Sequence, residues 1–159
     1  MRTPFDLQDA LCAEMSKLFQ GFLLRDAGGN LTKLNVYAQD LPETETDDET
    51  DTDPAPYCIV KIVDGTAGRN RNSVRVVLVF CVRDAARDRQ GHRDILTLLF
   101  RVYERFAKNP YIGNFCFPVD DESAFEWAIQ DEDTYPYNIG ACKLMFDGPS
   151  IEKEYPLFV

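Results

Sequence analysis

The sequence predicts an α+β domain in which a single mixed or antiparallel β-sheet is flanked by two main helices. Three observations favour this class. Two segments carry apolar side chains at helical spacing. Several shorter segments alternate apolar and polar side chains, which is typical of strands. The chain has 159 residues, of which 45% are hydrophobic, and this suits one globular domain spanning 1–159.

The first predicted element is a helix from Pro4 to about Arg25. Thr3 is suited to the N-cap, Pro4 to the first helical position, and Asp6 to the acidic position of a capping box. Two glycines at positions 28 and 29 would end this segment. Its apolar face comprises Leu11, Met15, Leu18 and Phe22, widened by Leu7, Phe19 and Leu23.

A half-buried strand is predicted next, because apolar and polar side chains alternate from Leu34 to Gln39. An acidic segment then runs from Glu43 to Asp53, with seven acids and no basic or apolar side chain. Such a segment has nothing to bury, so we expect a flexible, solvated loop at 43–53 that is dispensable for folding. It lacks the central glycine of an EF-hand loop, so a calcium site is not predicted.

Two longer strands follow, Tyr57–Val63 and Ser73–Arg83, and they form a predicted hairpin. The connection between them, residues 64–72, is basic and contains two glycines. It predicts a protruding tip that contacts a partner. The second strand is apolar on both faces, which indicates a central position in the sheet. One of its faces carries Val74, Val76, Leu78, Phe80 and Val82, and the other carries Val77, Val79 and Cys81.

A second helix is predicted from His92 to about Lys108, after a polar connector, and Asn109-Pro110 ends it. Short strands are predicted at 126–130 and 138–146, and an extended tail at 152–159. The buried stripe of the second helix comprises Ile95, Leu98, Leu99, Val102 and Phe106.

Cysteine and histidine usage gives no catalytic or metal motif. The five cysteines form no C-x-x-C motif, and His92 is the single histidine. Three cysteines lie in apolar runs, which predicts buried thiols in a reducing compartment. No nucleophile elbow, Walker loop, zinc-protease or dinucleotide motif is present. We therefore expect no enzymatic activity, no catalytic residue, no cofactor and no metal. No apolar run approaches the length of a membrane span.

The net charge of −10 is distributed unevenly along the chain. Residues 1–60 carry 4 basic and 12 acidic side chains, residues 61–108 carry 11 and 5, and residues 109–159 carry 2 and 10. Generic binding to nucleic acid or to an anionic membrane is therefore not expected. The alternation suits copies or partners that meet through patches of opposite charge.

Several segments, taken in their order, carry a family resemblance. They resemble tail terminator and tail completion proteins of long-tailed bacteriophages in element order and general character, over roughly residues 54–151. The segments are Pro56–Gly65, Val76–Asp84, the helix with Asp94-Ile95-Leu96, Trp127, the acidic turn before Pro136, and the strand Gly140–Phe146 with Asp147-Gly148-Pro149 after it.

The resemblance implies a structural virion protein at the head-proximal end of the tail, assembled in the host cytoplasm. Such proteins form hexameric rings that cap the tail tube, stop its polymerisation and present a surface to the head connector or stopper protein. DNA passes through the ring without specific binding. A head-side connector or stopper protein is a neighbouring alternative in the same system.

Two alternatives come from other classes. An acidic decoy that mimics DNA would explain the negative charge. A small enzyme or ligand-binding domain would need a deep pocket lined by perturbed ionisable groups. For the assembly hypothesis, the predicted protein-contact residues are the arginines of the hairpin tip and of the connector, whose planar guanidinium groups can pair with carboxylates on a neighbour. They are Arg69, Arg71, Arg87 and Arg89.

Overall fold

The computed structural model describes residues 3–43 and 53–150. Most of the predicted acidic loop and the whole predicted tail at 152–159 lie outside the described residues. Two helices and a large mixed sheet confirm the predicted α+β class. In chain order the elements are α1 (Pro4–Leu18), β1 (Leu24–Arg25), β2 (Leu31–Thr32), β3 (Asn35–Ala38), β4 (Tyr57–Ala67), β5 (Asn72–Arg83), α2 (His92–Lys108), β6 (Tyr111–Ile112), β7 (Phe115–Cys116), a 3-10 turn (Glu122–Ala124), β8 (Phe125–Ile129) and β9 (Tyr137–Gly148).

The main sheet follows the order β3-β4-β5-β9-β7-β6, and β8 pairs with β9 beside β7. The β3–β4 pair is parallel and the other pairs are antiparallel, so the sheet is mixed. β5 is bonded to β4 on one side. On the other side it is bonded to β9 along its full length, from Asn72 opposite Gly148 to Arg83 opposite Tyr137. The prediction that this strand is central is confirmed.

Both helices pack on one face of the sheet. Alternate side chains of β5 are buried beneath them, whereas Val77 and Val79 on the opposite face are half-buried. In the described part of the chain no helix covers that opposite face, which we call the open face. The core contains Leu7, Leu11, Met15, Leu98, Leu99, Val102 and Phe106 from the helices, and Cys58, Val60, Val76, Leu78, Phe80, Cys142, Leu144 and Phe146 from the sheet.

Helix α1 ends earlier than the sequence pattern suggested. The predicted extension to Arg25 is wrong, because the helix ends at Leu18 and the chain then enters the β1–β2 hairpin. Gly29 makes the turn of this hairpin with φ near +80°, a conformation that glycine adopts without steric cost. Leu24 reaches the core from β1. Beyond residue 18, Phe19 is buried against Phe80 from the helix C-cap and Phe22 is half-buried, whereas Leu23, predicted to widen the apolar face, is exposed.

Replacing Thr3 by alanine should lower stability by about 1 kcal/mol, the usual cost of losing a helix N-cap. The Thr3 hydroxyl accepts a hydrogen bond from the Asp6 N–H at 3.2 Å, and the Asp6 carboxylate accepts one from the Thr3 N–H at 3.0 Å. This is the predicted capping box. Urea denaturation measures the loss, and Thr3→Ser is the matched control because it keeps the hydroxyl. Equal midpoints for the two variants would contradict the assigned cap.

Helix α2 has the predicted bounds, and its five predicted stripe residues are all fully buried. On its flank, the Arg105 guanidinium donates to the Glu14 carboxylate of α1 and to the carbonyl oxygens of Asn109 and Tyr111. The side chains of the Arg105–Glu14 pair are only 17% and 20% exposed, so solvent screens this pair less than an exposed one. The pair joins the two helices that pack on the sheet.

The β4–β5 hairpin extends further than the predicted strands. Because β4 continues to Ala67 and β5 begins at Asn72, only residues 68–71 form the hairpin tip. A register shift lies just before Asp64 in β4. Beyond it, the Arg75 guanidinium donates to both carboxylate oxygens of Asp64. The tip is therefore carried on a paired extension of the sheet.

Candidate assembly interface

Two of the four predicted contact arginines lie at the hairpin tip. Arg71 Nε donates to Asp147 Oδ1 at 2.8 Å, and this hydrogen bond raises the pKa of Arg71. Arg69 is exposed and has no ion-pair partner among residues 3–43 and 53–150. The charge of Arg69 is thus available to a partner, whereas the charge of Arg71 is already opposed within the chain.

The other two arginines lie in the connector, residues 84–91, between β5 and α2. Arg89 donates to the Asp133 carboxylate, and its guanidinium lies 4.9 Å from the centroid of the Tyr135 ring. The Tyr135 N–H and the charge of Arg89 both lower the pKa of Asp133. Arg87 is exposed, and no ion pair to it occurs within the described ranges.

The structure does not bring these four arginines into one patch. The hairpin tip and the connector are joined by β5, which has 12 residues. At about 3.3 Å per residue, the two groups lie roughly 35 Å apart at opposite ends of the sheet. Each end has one arginine with an internal ion pair and one without such a pair in the described part of the chain.

An aromatic groove between α2 and β8 was missed from the sequence. Phe100 on α2 meets Trp127 on β8 edge-on with ring centroids 5.6 Å apart, and Tyr103 tilts against Phe125 at 5.1 Å. Despite these contacts, Phe100, Tyr103 and Trp127 are 47%, 42% and 47% exposed. Aromatic side chains exposed together are typical of interfaces. The available signal was that Phe100 and Tyr103 lie three residues apart on α2, outside its buried stripe.

The aromatic groove has a volume of about 310 Å³ and an acidic rim. Asp121 and Glu122 line it, next to the exposed Val119. The hydroxyl and N–H of Ser123 both donate to Asp121, and these bonds lower the pKa of its carboxyl. The charge of Arg71 lowers that pKa further. The groove therefore combines aromatic surface with a carboxylate that is ionised at neutral pH.

The open face is the second uncovered surface. Ile59, Val79 and Ala141 lie side by side across β4, β5 and β9 and form an apolar row, in which Ile59 is buried and the other two are half-buried. In the next row, Lys61 and Lys143 lie on either side of a valine of β5. An apolar row beside a basic row suits the packing of another protein surface and gives the face a positive character.

The described cysteines are not activated nucleophiles. Burial raises the pKa of the Cys81 thiol to about 11, and raises those of the fully buried Cys58 and Cys142 thiols as well. The pKa values of Cys12 and Cys116 are also raised, mainly by burial. A raised pKa favours the protonated thiol over the thiolate, which is the reactive species.

A hollow of about 650 Å³ lies between the β1–β2 hairpin and the connector. It is lined by apolar residues such as Phe22 and by charged residues of both signs, which are Arg25, Asp26, Arg83, Asp84 and Asp94. Burial raises the pKa of Asp94, and the charge of Asp84 raises it further. Within residues 3–43 and 53–150, no group of three or more His, Cys, Asp or Glu side chains is placed to hold a metal ion.

No family model matches the chain, and no curated protein matches its sequence. Neither α1 nor α2 has the length and apolarity that a bilayer-spanning helix needs, and these are the two α-helices of the described residues. Function is therefore inferred from the surfaces of the chain and from the order of its elements.

Proposed function

We propose that the chain is a structural subunit of a phage tail, which assembles into a ring at the head-proximal end of the tail tube. The ring ends tube polymerisation and provides the surface to which the head is joined. The observation that carries this proposal is that one small domain leaves the open face, the aromatic groove and the basic hairpin tip uncovered in its described part. Partners would be other copies of the chain, the tail tube protein and the head connector protein.

The uncovered surfaces differ in chemistry, and this favours a ring. The aromatic groove is acidic at its rim, while the hairpin tip and the open face carry basic side chains. A contact between unlike surfaces of identical subunits generates a closed ring when the rotation between neighbours closes. The hexameric number is an expectation from the family resemblance.

The charge of the chain is compatible with a DNA passage. A net charge of −10 disfavours retention of the phosphate backbone, because like charges repel. The protonated thiols support an assembly role over thiol-based catalysis. The hollow at Asp94 supports a ligand-binding alternative, which predicts that a substitution there changes activity without changing assembly.

Reversing two charges at the hairpin tip should impair tail completion without unfolding the subunit. The double variant Arg69→Glu, Arg71→Glu replaces two exposed cations, and surface changes at such sites usually leave the fold intact. We expect phage lacking the natural chain and supplied with this variant to yield at least tenfold fewer joined particles. Electron microscopy of the tails, together with thermal denaturation of the purified variant, measures both effects.

Lys33→Glu is the matched control, because it reverses one exposed charge on the β2–β3 connection, away from the tip. Tails of normal length joined to heads in the double variant would contradict the arginine assignment. In phage that lack the chain altogether, overlong tails support a terminator. Normal tails beside unjoined heads indicate a head-side stopper. Normal complete particles would reject both.

A further inference from the structure

The acidic rim and the exposed aromatic rings of the groove have the chemistry that recognises an arginine side chain. A guanidinium can stack on an aromatic face while its N–H groups donate to carboxylates. The groove offers the rings of Phe100, Tyr103 and Trp127 beside the carboxylates of Asp121 and Glu122. A protruding arginine complements both the rings and the carboxylates, whereas the two carboxylates disfavour an anion.

The chain itself contains an arrangement of this type. At the connector, Arg89 lies over the Tyr135 ring at 4.9 Å while it donates to the Asp133 carboxylate. In that intramolecular case one ring and one carboxylate hold one guanidinium. The aromatic groove presents the same two kinds of group, but among the described residues no arginine occupies it.

We propose that the aromatic groove of one copy receives Arg69 from the hairpin tip of the next copy. The argument is charge complementarity. The rim carries Asp121 and Glu122, and Arg69 is an exposed cation without an ion-pair partner in residues 3–43 and 53–150. This inference rests on the proposed ring, because it names the contact through which identical subunits meet.

The position of the two surfaces supports a ring over a stack. β5 begins at Asn72 opposite Gly148 of β9, and β8 begins at Phe125 opposite Leu144, so the hairpin tip and the groove rim, which precede these two strands, lie at the same end of the sheet. A contact between surfaces at the same level keeps neighbouring copies in one layer. The unlike surfaces then make a heterologous contact, which generates a ring when the rotation between neighbours closes. If Arg87, at the other end of β5, entered the groove instead, each neighbouring copy would be displaced along the strand direction by about the length of β5.

A charge swap tests the contact in the purified full-length chain. Arg69→Glu alone and Glu122→Arg alone should each weaken self-association at least tenfold, because each puts like charges together. The double variant Arg69→Glu, Glu122→Arg should restore it to within about threefold of the natural chain. Sedimentation velocity over a range of concentrations gives the association constants. Glu122 is chosen because Asp121 also holds the 3-10 turn through Ser123.

Lys33→Glu is again the matched control and should leave self-association unchanged. Circular dichroism of each variant shows whether it is folded, and Glu122→Gln is used if the arginine variant does not fold, with a smaller loss expected. Three results would each overturn the contact. The losses could be additive in the double variant, the single variants could associate as well as the natural chain, or the natural chain could stay monomeric at every concentration. If the swap restores association but phage lacking the chain make normal particles, the contact stands and the tail function fails. If tails depend on the chain but the swap does not restore association, the function stands and this contact fails.

Discussion

Replacing Gly140 by valine should destabilise the domain by about 3 kcal/mol, near the upper end of overpacking effects. Gly140 lies in β9 beneath α2, and a Cβ at this position would come within 2.3 Å of Ile95 Cγ2 and 3.3 Å of the Ala128 carbonyl oxygen. Ile95 is fully buried, so it cannot turn toward solvent. The helix would have to move away from the sheet, which breaks close packing along its whole stripe.

Urea denaturation followed by circular dichroism measures this loss, provided that the unfolding slope is unchanged. Gly21→Ala is the matched control, since a Cβ at Gly21 meets no atom within 4 Å. We expect the control to stay within about 0.5 kcal/mol of the natural chain. A Gly140→Val variant as stable as the control would show that α2 does not press on β9 as described.

Truncating Phe106 to alanine should cost about 3–5 kcal/mol, the range found for buried phenylalanine. Phe106 is fully buried near the end of α2, and its ring meets Phe146 of β9 at 5.2 Å and Phe117 at 6.1 Å. Removing the ring opens a cavity at the centre of this aromatic cluster. The same denaturation experiment measures the loss. Phe106→Leu should lose less than half as much stability as Phe106→Ala.

Phe100→Ala provides the comparison on the same helix. Phe100 is about half exposed and contacts Trp127, so we expect a loss below about 1.5 kcal/mol. Equal losses at positions 100 and 106 would contradict the assignment of one as core and the other as surface. This comparison also checks that variants of the aromatic groove can be made without unfolding the domain.

Strong local patterns were predictable from the sequence. The bounds of α2 follow from five apolar positions at helical spacing and from the Asn109-Pro110 stop, and the structure agrees at both ends. The central position of β5 follows from its two apolar faces, because a strand at the edge of a sheet does not need apolar side chains on both faces. In each case the signal lies within the element itself.

Other features depend on contacts that the local pattern does not contain. The residues after Leu18 continue the apolar spacing of α1, but the helix ends there, and whether each of them is buried depends on contacts with distant residues, such as that of Phe19 with Phe80. The ion pair between Arg71 and Asp147 joins residues 76 positions apart and exists because β5 pairs with β9. Charge alone predicted exposed arginines. It did not show which of them are already paired.

The aromatic groove was missed for a related reason. Phe100 and Tyr103 are on α2 and Trp127 is on β8, so their meeting requires β8 to pair with the outer side of β9. In the sequence, Trp127 is a single aromatic residue in a short alternating segment. Its partial exposure could not be read from that segment, because exposure depends on how far the neighbouring helix covers the sheet.

The pairing of β5 with β9 also determines when the domain can fold during synthesis. Arg83 pairs with Tyr137 and Asn72 pairs with Gly148, so the first of these bonds can form only after Tyr137 has been translated and the last only after Gly148. Until β9 leaves the ribosome, β5 has an unpaired edge and α2 lacks the strand on which Phe106 rests. Contacts between residues so distant in sequence slow folding, and the nascent chain exposes apolar surface for that time. Folding of this domain therefore cannot be completed before β9 has been synthesised, and the apolar stripe of α2 stays exposed until then.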